Sequence, residues 1–112
     1  MWEIIPPRIQ YKNRVSIEKY KTNIRIHISL NIRKKLDQLD CKYCNIYKNN
    51  TQLMVQFLKD KGENAKKIGN DGKISLPKYV IKDFWNDENG IKTVDWYIDK
   101  GNLIIDLNSL KR

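Results

Sequence analysis

One histidine, two cysteines, three prolines and no long apolar run leave this chain short of what several protein classes require. A structural zinc site needs four ligands. Cys41 and Cys44 stand as a lone C-x-x-C, and His27 lies fourteen residues before Cys41. Reduced structural cysteines are expected, with no metal and no cofactor. His27 sits in the short strand-like stretch Arg25–Ile28, which favours a structural placement over general-base work. Asp83, Asp87 and Glu88 cluster without further ligands and read as a solvated loop. Gly69-Asn70-Asp71-Gly72 fits neither phosphate-loop pattern. The chain is therefore read as a non-enzyme. No stretch approaches the roughly 20 apolar residues of a membrane helix. The start, Met1-Trp2-Glu3-Ile4-Ile5-Pro6-Pro7, has no basic lead and only a short apolar run. A cytoplasmic protein with no membrane partner is expected.

Acidic residues are scarce as well: 13 Asp and Glu against 22 Lys and Arg, a net charge of +9. Such a surface concentrates anions, and phosphate backbones are the most common polyanions a protein meets. The excess is uneven. Residues 1–58 carry 11 basic and 4 acidic side chains, while residues 59–112 carry 11 and 9. With 112 residues, 40% of them hydrophobic, the chain can bury one modest core, so one domain over 1–112 is expected.

What the chain does have is a repeat of itself. Ile26-His27-Ile28-Ser29 aligns with Ile74-Ser75-Leu76-Pro77 at an offset of 48, which also superposes Ile32 on Val80 and Leu36 on Phe84. At an offset of 50, Asn45-Ile46-Tyr47 meets Asp95-Trp96-Tyr97, and Leu53–Phe57 meets Leu103–Leu107. The two extra residues fit the polar stretch Asn86–Gly90, where a gap is cheap. Each copy, about 14–58 and 64–107, reads as strand, turn, short strand, helix and hairpin, with 1–13 as an N-terminal extension. The first copy opens with a strand at Arg14–Tyr20, where Val15 and Ile17 alternate with Ser16 and Glu18. Ser29 is the expected cap of its helix, with Ile32, Leu36 and Leu39 on one face. Pro77 suits the first turn of the second helix. Asp71-Gly72 has tight-turn chemistry, and the hairpins turn near Lys48–Thr51 and Asp99–Asn102.

The second copy, Asn70-Asp71-Gly72-Lys73-Ile74-Ser75-Leu76-Pro77 followed by Phe84 and the hairpin Trp96–Ile105, resembles the AbrB/MraZ swapped-hairpin family of DNA-binding proteins. The first copy departs from the pattern with Ile24 for Gly and Ser29 for Pro. The resemblance spans about Arg14 to Leu107. It implies a mainly β, α+β fold with two short helices. Two units interlock by exchanging hairpins into a barrel-like single domain with internal pseudo-twofold symmetry. Either a monomer with a pseudo-dimeric core or a homodimer fits that plan. It also implies double-stranded DNA as partner, met by basic residues of the first turn and helix start. Carried over position by position, these are Arg25 and Lys73 before the short strands, Arg33 and Lys34 with Lys82 in the helices, and Lys19 with Lys66 and Lys67 on the first strands. Arg14 and Lys21 flank the set in the first copy. Ile81 replaces one charge of the helix pair and Glu18 one of the strand pair, so recognition is expected to be asymmetric.

The leading expectation is a transcription regulator or repressor of phage or antitoxin type. The alternatives are a protein-interaction or inhibitor module built on the same barrel, and RNA binding. Tyr47, Phe57, Phe84, Trp96 and Tyr97 fall on repeat positions and are expected in or near the core. Trp2, Tyr11 and Tyr20 lie among basic residues, where they stack on bases or cover a barrel edge. Trp85 cannot share the helical face of Phe84 and is expected exposed or in an interface.

Overall fold

The computed structural model describes residues 1–2, 14–85 and 88–111. The N-terminal extension, apart from Met1 and Trp2, and Asn86-Asp87 of the expected loop lie outside the described residues. The elements run β1 (Val15–Lys19), β2 (Ile24–Ile28), α1 (Leu30–Lys35), β3 (Tyr43–Lys48), β4 (Gln52–Leu58), β5 (Lys66–Lys67), β6 (Lys73–Leu76), a 3-10 turn (Lys78–Val80), β7 (Gly90–Asp99), β8 (Asn102–Asp106) and a 3-10 stretch (Leu107–Lys111). All strand pairs are antiparallel, in one eight-stranded sheet ordered β5-β3-β4-β8-β7-β1-β2-β6. The two edge strands, β5 and β6, are consecutive in the chain. The Gly69 N–H donates to the Lys73 carbonyl across the turn between them (2.9 Å). The sheet is therefore nearly closed and barrel-like, and the fold is mainly β with few helices.

Alternation along the strands decides which side faces in. Val15 and Ile17 on β1, Ile24, Ile26 and Ile28 on β2, and Leu53 and Val55 on β4 are all essentially fully buried. Ile74, Leu103 and Ile105 join them from the second half. Burying an aliphatic side chain of this size is worth about 1.5–3 kcal/mol, so these residues supply most of what closes the sheet. Two strand pairs join residues of corresponding sequence: Ile26 lies opposite Ile74, and Met54 opposite Ile104. β7 divides its length, with Gly90–Val94 on β1 and Asp95–Asp99 on β8. Residues 66 and 67 of β5 pair with Cys44 and Tyr43 of β3.

The turns follow their residues. Lys100 and Gly101 both have positive φ (52° and 80°), the pair of angles a two-residue hairpin loop needs. In the first hairpin the Asn49 side-chain oxygen accepts from the Thr51 and Gln52 amides, a local turn made by the Asn itself. Gly72 has φ +79°, its carbonyl accepts the Ile28 N–H, and a Cβ there would stand 2.4 Å from the Ile28 carbonyl oxygen. Only glycine fits that crossing.

The helical expectations need correction. Ser29 occupies the N-cap position of α1 but makes no cap bond to a helix amide; its hydroxyl accepts the Arg14 N–H (3.2 Å). The helix stops after Lys35, so Leu39, expected on its apolar face, is 49% exposed. It stops because Asp37 takes φ 56°, the Asp37 N–H donates to the Lys34 carbonyl and the Gln38 N–H to the Arg33 carbonyl. Those two bonds form a Schellman closure with Asp where glycine is usual. The second helix shrinks to the 3-10 turn, and Pro77 precedes it at φ −66°, ψ 146°. Trp85, expected exposed or in an interface, is buried in the core, whereas Phe84 is only half-buried against it. Tyr47 and Tyr97, expected in or near the core, are about half exposed. They share one outward-facing row with Met54 and Ile104, the wrong side of the pleat for the interior.

Candidate nucleic-acid interface

The ten basic residues singled out from sequence fall into four places. The first is the outer face of β1, β2 and β6. Pairing puts Glu18 opposite Arg25, and His27 opposite Lys73. The Glu18 carboxylate is buried and bridges both cations: Arg25 Nη2 lies 3.3 Å from Oε1, and Lys73 Nζ 3.2 Å from Oε2. The structure thus gathers the two corresponding basic positions around one acid, which cancels half of their charge. Arg14 borders the same face, tied to Ser29 by the Arg14 N–H to Ser29 hydroxyl bond and the Ser29 N–H to Arg14 carbonyl bond. A small cleft of about 190 Å³ between Arg14, Ser16, Glu18 and His27 marks this shelf.

The second place is α1. Here the expected pair separates: Lys34 is exposed, but Arg33 is 8% exposed. Its counterpart in the alignment is Ile81, which is fully buried. The position points inward in both copies. Arg33 packs its guanidinium against Gly72, where a Cβ would come within 3.3 Å of Nη2, and no carboxylate among the described residues pairs with it. The third place is β5, whose Lys66 is half-buried and Lys67 exposed on the short edge strand.

The fourth is the end of the sheet formed by the β1–β2 turn, the 3-10 turn and the Phe84-Trp85 segment. Lys19, Lys21 and Lys82 meet there with four lysines that sequence reasoning missed: Lys48, Lys78, Lys92 and Lys111. The Lys78 ammonium donates to the Lys21 carbonyl, so the turn of the first half rests on the start of the second half's 3-10 turn. The Lys19 ammonium donates to the Glu88 carbonyl (3.2 Å) and lies 5.8 Å from the Trp85 ring centroid. Lys92 lies 4.9 Å from the same ring. Lys111 and Lys48 approach the Phe84 ring at 5.2 and 6.0 Å. Among the described residues the ion pairs are Arg25–Glu18, Lys73–Glu18 and Lys59–Asp40. None of these seven lysines is in one, and the carboxylates beside them, Asp83 and Glu88, are outnumbered. The signal that could have found them was the adjacent aromatic pair itself: rings among lysines hold ammonium groups without cancelling them. No family model matches the chain, and no curated protein or solved structure matches it.

The remaining chemistry is sparse. Cys41 and Cys44 are free and buried. Burial pushes the Cys44 thiol up to about 11 and raises Cys41, to which Asp40 adds. Both are poor thiolates, hence poor nucleophiles and metal ligands. Among the described residues no three His, Cys, Asp or Glu side chains converge as a metal set, and no helix is long and apolar enough to cross a membrane.

Proposed function

We propose that the protein binds double-stranded DNA, as a transcription regulator of repressor or antitoxin type, with the swapped-hairpin architecture of the AbrB/MraZ family. The pairings support the architectural part. Each of two antiparallel pairs contains one residue opposite its own counterpart, Ile26 with Ile74 (offset 48) on β2 and β6 and Met54 with Ile104 (offset 50) on β4 and β8, as a twofold axis through each pair would require. β3 lies against β5 and β7 against β1, so each hairpin joins the other copy's first strand. Two halves interlocked in this way make a single domain from one chain.

The observation that carries the functional part is the lysine end, where lysines outnumber Asp83 and Glu88 and make no ion pair among the described residues. A turn from one copy and a helix start from the other meet there through Lys21 and Lys78. These are the elements by which the family grips DNA, and Lys19 and Lys82 extend the surface. Ammonium groups act here as point charges on phosphate oxygens, which positions a duplex without reading it. Arg25 is the candidate for base contact, because a guanidinium can reach a guanine edge bidentately. It is held by Glu18 and by the Tyr20 ring at 5.8 Å.

The test is duplex binding measured over a salt series. Each lysine that meets a phosphate contributes about one unit to the salt slope. Lys21→Ala with Lys78→Ala is expected to lower the slope by about two; Lys34→Ala with Lys67→Ala is expected to change it little. Absence of duplex binding at about 0.15 M salt would remove the reading. It would then favour a protein-interaction module, for which the exposed Tyr47 and Tyr97, on one outward row with the half-buried Met54, are the supporting observation.

A further inference from the structure

Trp85 is one of the larger investments in this small core, yet it is not surrounded by hydrocarbon alone. Its side chain is 5% exposed, and Lys19 and Lys92 both approach its ring. Its indole N–H is buried and has no hydrogen-bond partner among the described residues.

Two clefts share Trp85 as a wall. The larger, about 480 Å³, has mainly polar sides and is bordered by Lys82, Lys92, Lys111 and Phe84. The smaller, about 190 Å³, is bordered by Lys19, Lys78 and again Lys82. Asp83 and Glu88 are the carboxylates among the described residues along the larger cleft, against its three lysines, a net charge of +1; Lys19 and Lys78 add to it from the smaller cleft. Lys19, Lys78 and Lys92 each spend one donor on a backbone carbonyl. Each ammonium has three donors, so acceptors from outside can still be met. Lys82 and Lys111 make no hydrogen bond or ion pair with the described residues.

Three lysines along one cleft repel one another, and Asp83 and Glu88 relieve that only in part. Cation–ring contacts offset only about 0.5–1 kcal/mol each at such partly exposed sites. A multivalent anion removes the repulsion outright. The larger cleft falls within the usual volume range for small-ligand sites, about 300–1,000 Å³, and offers the half-buried Phe84 ring beside its ammonium groups. We infer that this cleft is a binding site for a nucleoside phosphate, with the phosphate among Lys82, Lys92 and Lys111 and the base on Phe84. The chemistry is shared by a free nucleotide and by the phosphorylated end of a nucleic-acid strand. The inference does not depend on internal duplex binding.

The experiment uses the full chain. Calorimetric titration with ADP, adenosine, inorganic phosphate and a short single strand with or without a 5′ phosphate is paired with Trp85 fluorescence in a Trp2→Phe, Trp96→Phe background. Saturable binding of ADP at or below about 1 mM, with none by adenosine, is the expected result. Lys111→Ala is expected to weaken it about tenfold, that is about 1.4 kcal/mol. Phe84→Leu is expected to weaken ADP while leaving inorganic phosphate unchanged. Tighter binding of the 5′-phosphorylated strand than of ADP assigns the site to strand ends; the reverse order assigns it to free nucleotide. The inference is overturned if ADP and the phosphorylated strand both fail to saturate, or if adenosine binds as well as ADP. ADP binding untouched by Lys111→Ala would overturn it too. Failure of duplex binding with ADP binding intact removes only the reading in the preceding subsection.

Discussion

Glu18 shows how one side chain can set the character of a whole face. It is the single acid at a position where the second copy has Lys66, and its carboxylate, 6% exposed, holds Arg25 and Lys73, which are 33% and 25% exposed. Removing the two cations strands a buried anion, whereas removing the acid strands two cations that can turn toward water. Arg25→Ala with Lys73→Ala is therefore expected to cost about 3–5 kcal/mol in urea denaturation, and Glu18→Gln only about 1–2 kcal/mol. Glu18→Gln is also expected to steepen the salt dependence of duplex binding, because two cations are released. Equal losses of stability in the two variants would show that the carboxylate is not the buried partner. The importance of Glu18 was half legible in the sequence: its departure from the basic pattern was visible, but its two partners sit on strands that only the fold places beside it. Arg33 was misleading for the converse reason. A basic residue reads as surface until its alignment with the buried Ile81 is weighed.

The hairpins and short strands were readable because alternation and turn residues act locally; Asn49 and Gly101 form their turns from their own chemistry. The helices were not, because their lengths depend on where they stop. α1 ends on Asp37 at φ 56°, and nothing in the side chain announces a left-handed residue as a glycine would. Asp pays a conformational cost there that glycine does not. Asp37→Gly is expected to stabilise the protein by about 1 kcal/mol, and Asp37→Ala to destabilise it by a similar amount; chemical denaturation measures both. Stabilisation by Ala would mean that the closure of α1 is not maintained in solution. Tyr47 and Tyr97 illustrate a second limit. Period-two alternation says that neighbours face opposite ways, but it does not say which set faces in. Here the aliphatic set that includes Leu53, Val55, Leu103 and Ile105 takes the interior and leaves the tyrosines outside.

β1 is paired on one side with β2 and on the other with β7, and β4 is paired with β3 and β8. Neither half of the chain can complete its own sheet, so thermal unfolding is expected to be one cooperative transition. Two separable transitions by calorimetry, or a folded fragment 64–107 at low concentration, would contradict this. The repeat made the mutual dependence of the halves legible, since two similar units of about fifty residues are each too small to be stable alone. The lysine end at Phe84 and Trp85 was not legible, because it gathers Lys19, Lys78, Lys92 and Lys111 from positions that do not correspond between copies. The late pairing has a consequence for synthesis. The strands that complete β1 and β4 are β7 and β8, which begin at Gly90 and Asn102. Until the ribosome has made residues 90–106, the nascent polypeptide carries β1 and β4 edges with no partner. Such edges are sticky, and long-range pairing of this kind is slow. Folding of this sheet must therefore wait until β7 and β8 have emerged, and a translational stall before them leaves a product prone to aggregate.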